Sequence, residues 1–142
     1  MTFITFSPVE VIADVLTSIT SRDAVKHIIV GPASHEQQQD GVVSLMDAGK
    51  GREELYVPLV RPRIQMRVIA PSLAECETIA QHIATAITNV NQRMVGHQAS
   101  TGENYLVHTI VGSGGPSAHR DTEETWEYLL FAEALMGTVP IP

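Results

Sequence analysis

At 142 residues with 44% hydrophobic content, the chain has the length of one ordinary domain and enough apolar residues for a buried core. A formal charge of −7 opposes nucleic-acid phosphate, and no apolar run approaches the roughly 20 residues of a membrane span. One cysteine excludes an internal disulfide, and the start Met1-Thr2-Phe3-Ile4 lacks a basic segment ahead of a long apolar one, which predicts a cytoplasmic origin without a secretory signal.

The first helix is signalled by Ser7 as cap, Pro8 at the first helical position and Glu10 three residues after the serine. Its apolar stripe is Val9, Ile12, Ala13, Leu16 and Ile19, and the poor helix formers from Thr17 to Ser21 mark its end. Ahead of it, Phe3, Ile4 and Phe6 are either a staple, with Phe6 against Val11, or an arm that docks on another subunit. His27-Ile28-Ile29-Val30, stopped by Gly31-Pro32, reads as a strand. The polar tract Ser34 to Asp40 reads as loop, Gly41 to Met46 as a second strand and Leu55 to Val60 as a third. Pro58 lacks a donor and suits an edge or bulge. Between these two strands, Asp47 to Glu54 carries two glycines among charges, the composition of a projecting hairpin tip.

The central unit changes period at a visible boundary. Ile64, Met66 and Val68 alternate with Arg63, Gln65 and Arg67, as in a half-buried strand. Pro71 stops that strand, and Ser72 with Glu75 forms a capping box. Leu73, Cys76, Ile79, Ala80, Ile83, Ala84, Ile87 and Val90 then recur at helical spacing. Gln92 to Asn104 reads as a returning loop and Tyr105 to Val111 as a strand broken by Gly112-Ser113-Gly114-Gly115-Pro116-Ser117. Ala118 to Thr125 reads as loop. Trp126 to Met136 alternates yet also suits a helix; its aromatic and branched content selects a strand antiparallel to Tyr105–Val111. The tail from Gly137 to Pro142 is expected to extend away from the domain. The prediction is one α+β domain over 1–142: two layers, a mainly antiparallel sheet with helices packed on one face, in the order α-β-β-β-α-β-β, with extended terminal arms.

Candidate chemistry is sparse. The loop at Gly112 to Gly115 follows a strand but lacks the Lys-Ser/Thr of a phosphate-binding loop. His119-Arg120-Asp121 shares letters with a kinase catalytic loop whose companion motifs are missing. The six histidines include no pair at the spacing that places two ligands on one helix face, so no metal or other cofactor is expected. His82 and His108 read as partly buried, hydrogen-bonded residues. Ser113 stands in Gly-Ser-Gly rather than a nucleophile elbow, and Cys76 falls on the apolar helix face as a core residue. No enzymatic activity is expected.

The amphipathic helix headed by Ser7-Pro8-Val9-Glu10, the strand Arg63 to Val68 running into a helix at Ser72-Leu73-Ala74-Glu75, and the final strand pair flanking Gly112 to Pro116 and Arg120-Asp121 together resemble the tail terminator and minor capsid proteins of tailed bacteriophages over nearly the full length. That resemblance implies a non-enzymatic virion protein of the tail or neck, assembled in the host cytoplasm. It forms a ring, usually a hexamer, at the head-proximal end of the tail tube. There it stops tube polymerisation, joins the tube to the head-completion or connector protein, and lets DNA pass without specific binding. Ring contacts join unlike faces, so the cationic strand residues Arg61, Arg63 and Arg67 and the acidic pair Glu123 and Glu124 are interface candidates. Asp47, Lys50, Arg52, Glu53 and Glu54 are candidates for a lumen or contact loop. Two alternatives stand beside this reading: another neck or tail-completion component, and a small oligomeric enzyme or ligand-binding protein with a pocket of loops around His108 and His119.

Overall fold

A computed structural model describes residues 6–21, 23, 25–48, 52–53, 59–88, 94–120 and 125–141, with backbone alone at 52–53, 113–117, 119 and 120. Helix α1 (Pro8–Ile19) starts at an extended Ser7 whose hydroxyl accepts the Glu10 N–H at 3.5 Å. The expected capping box is only half made, because the Glu10 carboxylate turns to Ser100 and the Ser7 N–H donates instead to Gln98 Oε1 at 2.7 Å. Val11 and Val15 join the predicted stripe in the core, so α1 buries more than one face. Complete burial of Val11, Ile12, Val15 and Leu16 stabilises the fold by roughly 8 kcal/mol at ~2 kcal/mol per side chain. Only Asp14, Thr17 and Ser18 of this helix are exposed.

The sheet explains why α1 is so enclosed. Strand β1 (His27–Val30) runs parallel to β2 (Val42–Asp47), which pairs antiparallel with β5 (Arg63–Ala70). Helix α2 (His35–Asp40) connects β1 to β2, and the short β3 (Arg52–Glu53) and β4 (Leu59–Arg61) pair with one another. After helix α3 (Leu73–Thr88) come β6 (Met94–Gln98), β7 (Glu103–Arg120) and β8 (Trp126–Gly137). One margin of β8 is occupied by β5 and then β4, the other by β7, which also pairs with β6. Although β1 and β6 stand at opposite ends of this series, α1 touches both, so the sheet curls around the helix. Gly96 makes the close approach possible, since a Cβ there would lie 2.5 Å from Val11 Cγ1 and 2.6 Å from Val11 O.

The core lies between the helices and one sheet face. Ile64, Met66 and Val68 of β5 point into it as the alternation predicts, together with Ala132, Ala134 and Met136 of β8. Cys76, Ile79, Ala80, Ile83 and Ile87 of α3 cover them. Ala84 and His82 are exposed, and Val90 lies outside the described residues. Partial burial was expected for His82, but the histidine stands on the solvent side of α3, one position from the buried Ile83.

The predicted α+β architecture and element order hold, with one further helix and additional strands. The tract Ser34 to Asp40, expected as loop, is α2. Ser34 Oγ accepts the Gln37 N–H at 3.2 Å while Gln37 Oε1 accepts the Ser34 N–H at 2.9 Å, a complete capping box. Met94–Gln98, also expected as loop, pairs with Glu103–Val107 as β6. The glycine run does not end β7, because β8 pairs with it on both sides of the run and two register shifts, between Gly112 and Gly114 and between Gly114 and Ser117, absorb the irregularity. Trp126–Gly137 is a strand, antiparallel to β7 as expected. The C-terminal tail turns back, with the Ile141 N–H donating to Asn104 O at 2.7 Å.

Candidate functional site

With α1 and α3 on one face of the sheet, alternation sends a second set of side chains to the other. Across β5 and β8 the opposed pairs on that face are Arg63 with Glu133, Gln65 with Phe131 and Arg67 with Leu129. β7 continues the rows, placing Val111 opposite Glu133 and Thr109 opposite Leu135. Leu129, Phe131 and Leu135 are half-buried, whereas Val111 and Met46 keep 56% and 46% of their surface exposed. Phe131 stands opposite Gly114, which offers its ring no cross-strand side chain, and the Arg63 guanidinium lies 5.1 Å from the ring centroid.

The predicted arginine face divides by role. Arg67 grips Glu127 of β8 through two parallel bonds, Nε to Oε1 at 2.9 Å and Nη2 to Oε2 at 2.7 Å. Its charge therefore already serves the β5–β8 pair. Arg63 is exposed over Phe131, and Arg61 is exposed on β4 and engaged by another group. Glu123 and Glu124 lie outside the described residues, as do Lys50 and Glu54 of the projecting segment. Asp47 is exposed at the end of β2, and the backbone of Arg52 and Glu53 pairs with β4 as β3. β7 brings its two histidines to opposite ends of one hairpin, His108 beside the Val107–Met136 pair and His119 opposite Glu127. At ~3.3 Å per residue they stand roughly 30 Å apart, so one chain does not line a single pocket with both.

Sequence reasoning missed the margins of the sheet. Carboxylates of α1 hold β6 and the turn after it: Asp14 Oδ2 accepts the His97 N–H of the strand at 2.9 Å, and Glu10 accepts the Ser100 N–H of the turn at 3.2 Å and its hydroxyl at 2.7 Å. The signal was the pair Glu10 and Asp14, four residues apart on a helix whose apolar residues from Val9 to Leu16 are buried. Beyond Val107, β7 pairs only with β8, and β1 pairs only with β2, so both present an unpaired outer margin among the described residues.

Other polar groups are structural. Cys76 is fully buried, its Sγ directed at the carbonyls of Trp126 at 3.2 Å and Val68 at 3.6 Å. Burial pushes its thiol up to about 11, away from the thiolate a nucleophile would need. His27 pairs with Asp40 at 3.1 Å and His97 with Asn104 at 2.8 Å. Among the described residues no group of His, Cys, Asp or Glu is placed to hold a metal ion, and no helix is long and apolar enough to cross a membrane. Compared with models of known protein families and with curated proteins, the sequence matches none.

Proposed function

We propose that this chain is a structural assembly protein that acts by associating with copies of itself into a closed ring, and that the ring terminates a bacteriophage tail tube. The assignment to a tail rests on the resemblance of the sequence. One physical observation supports self-association: the sheet face turned away from α1 and α3 carries Leu129, Phe131, Leu135 and Val111 beside Arg63, with Val111 56% exposed. A strip of this kind is stabilised by contact with a second protein surface. In the ring, Arg63 meets an acidic surface of the next subunit and sets its register, while the overall charge of −7 keeps a lumen unattractive to passing DNA. The tube and the connector then bind the two ends of the ring, within the virion.

Light scattering coupled to size exclusion, followed by negative-stain imaging, tests this directly. A closed oligomer of uniform size, capping purified tail tubes and limiting their length, is the expected result. A chain that remains monomeric at high concentration overturns the reading, and one that forms rings without affecting tube length overturns its placement on a tail.

A further inference from the structure

Strand β8 carries apolar side chains on both of its faces. Tyr128 and Leu130 stand in phase with the buried Ala132, Ala134 and Met136, on the side of α3, whereas Leu129, Phe131 and Leu135 take the other side. On the α3 side a groove of about 350 Å³ stays open between helix and strand, lined by Ala80, Ala84, Leu130 and Tyr128 with Glu77 and Gln81. Glu77 is exposed, and its Oε1 accepts the Tyr128 O–H at 3.0 Å, which fixes the carboxylate beside the groove. Helix α3 carries Glu75 and Glu77 but neither lysine nor arginine, so this side of the molecule is acidic. On the other side of β8 the exposed Arg63 lies over Phe131. Unlike Arg67, which Glu127 holds, Arg63 makes no ion pair among the described residues.

We propose that the Arg63–Phe131 side of one copy seats on the groove between α3 and β8 of the next copy, with the Arg63 guanidinium paired to the Glu77 carboxylate. The inference rests on the self-association reading and specifies its contact. Charge selects a second copy as the occupant: one surface is apolar with an uncommitted cation, the other is apolar with a fixed anion at its edge, and each copy carries both. Position agrees with charge. The two surfaces lie on opposite faces of the same strand, so a copy seated on one leaves the other free for a further copy. Because the halves are unlike, they join head to tail, and head-to-tail joining closes into a ring when the rotation permits. Leu129, Leu135 and Val111 around Arg63, and Ala80, Ala84 and Leu130 around Glu77, keep water from the ion pair and so strengthen it.

Charge reversal on each side, read by sedimentation velocity over a range of concentrations, tests the contact. Arg63→Glu and Glu77→Arg each set like charges against one another and are expected to raise the concentration of half-assembly by about tenfold or more. The chain carrying both changes recovers assembly, because the pair is reversed rather than removed. The two single variants mixed in equal amounts also assemble, since each offers the charge the other lacks. If only one reversal impairs assembly, or if the doubly changed chain does not recover, Arg63 and Glu77 are not partners and the proposal fails. It also fails if both single variants assemble as the unmodified chain does, which would leave the ring standing with a different contact. An unmodified chain that never assembles removes the ring itself and this contact with it. Should a reversal prevent folding, Ala84→Lys decides: Ala84 is exposed on α3, and the longer, charged side chain occupies the groove without replacing Tyr128 or Glu77. That variant is expected to fold and stay monomeric, and normal assembly by it overturns the contact.

Discussion

The margin of the sheet at β6 and the margin along β7 beyond Val107 belong to the same run of strands, yet the chain treats them in opposite ways. At β6 a helix lies against the strand, close enough that Gly96 has no room for a methyl group, and its carboxylates take up outward N–H groups. Beyond Val107 no described strand other than β8 pairs with β7, no atom lies within 4 Å of a Cβ built at Gly112, and Val111 is 56% exposed. An exposed sheet margin is a hazard that proteins normally cover, charge or interrupt. Among the described residues, then, the two strands differ in whether helix carboxylates take up their outward N–H groups.

The largest expected effect comes from breaking the closed side. In Gly96→Ala the new Cβ meets Val11 Cγ1 and the Val11 carbonyl oxygen, and backbone cannot move aside as a side-chain tip can. Displacing α1 from β6 would also lengthen the Asp14 and Glu10 hydrogen bonds. We expect a loss of about 3 kcal/mol in denaturant unfolding, with the midpoint lowered and the slope unchanged. A loss below about 0.5 kcal/mol would mean that α1 is held less tightly than its burial indicates.

Next in size is an effect of pH where α3 is fixed to the β5–β8 pair. The Cys76 thiol is raised from 9.0 to about 11, chiefly by burial, so the folded state favours the protonated form. That preference contributes its full stability below pH 9 and is lost as pH rises from 9 to about 11, by roughly 2 to 3 kcal/mol at ~1.4 kcal/mol per pH unit. Tyr105, raised first by burial and then by Glu103, acts in the same direction. Cys76→Ala should therefore unfold more easily at neutral pH and yet lose about 2 kcal/mol less than the parent between pH 9 and 11, as read by urea titrations at each pH. Parallel losses in the two proteins would show that the thiol stays protonated, or titrates freely, in both states.

What could be read from the sequence follows the same division. Alternation in Arg63–Val68 and helical spacing from Leu73 to Ile87 were plain because each element has one buried face that repeats. The reading weakened wherever tertiary pairing outweighed local preference. Glycine and proline from Gly112 to Pro116 are poor strand formers, but β8 pairs with Gly112 and Gly114 and resumes the register at Ser117. Met94–Gln98 is a strand because Glu103–Val107 and α1 lie on its two sides, and neither neighbour is visible from five residues with a central glycine. Ser34 and Gln37 did carry a capping signal, hidden in a polar run with no apolar stripe to announce a helix. The arginine face was legible as a face, whereas its division between Arg67, held by Glu127, and Arg63, exposed over Phe131, required the register of β8.

The smallest effect is the sharpest test of the comparison, since it pairs the same substitution on the two margins. Gly112 has no atom within 4 Å of a built Cβ and does not adopt the left-handed conformation that would strain a larger residue. Gly112→Ala should leave monomer stability within about 0.5 kcal/mol of the parent, or raise it slightly by restricting the unfolded chain, against the loss of about 3 kcal/mol for the same change at Gly96. Both values come from one set of denaturant curves. If the two substitutions cost alike, Gly112 is as closely packed in solution as Gly96, and the contrast between β6 and β7 fails.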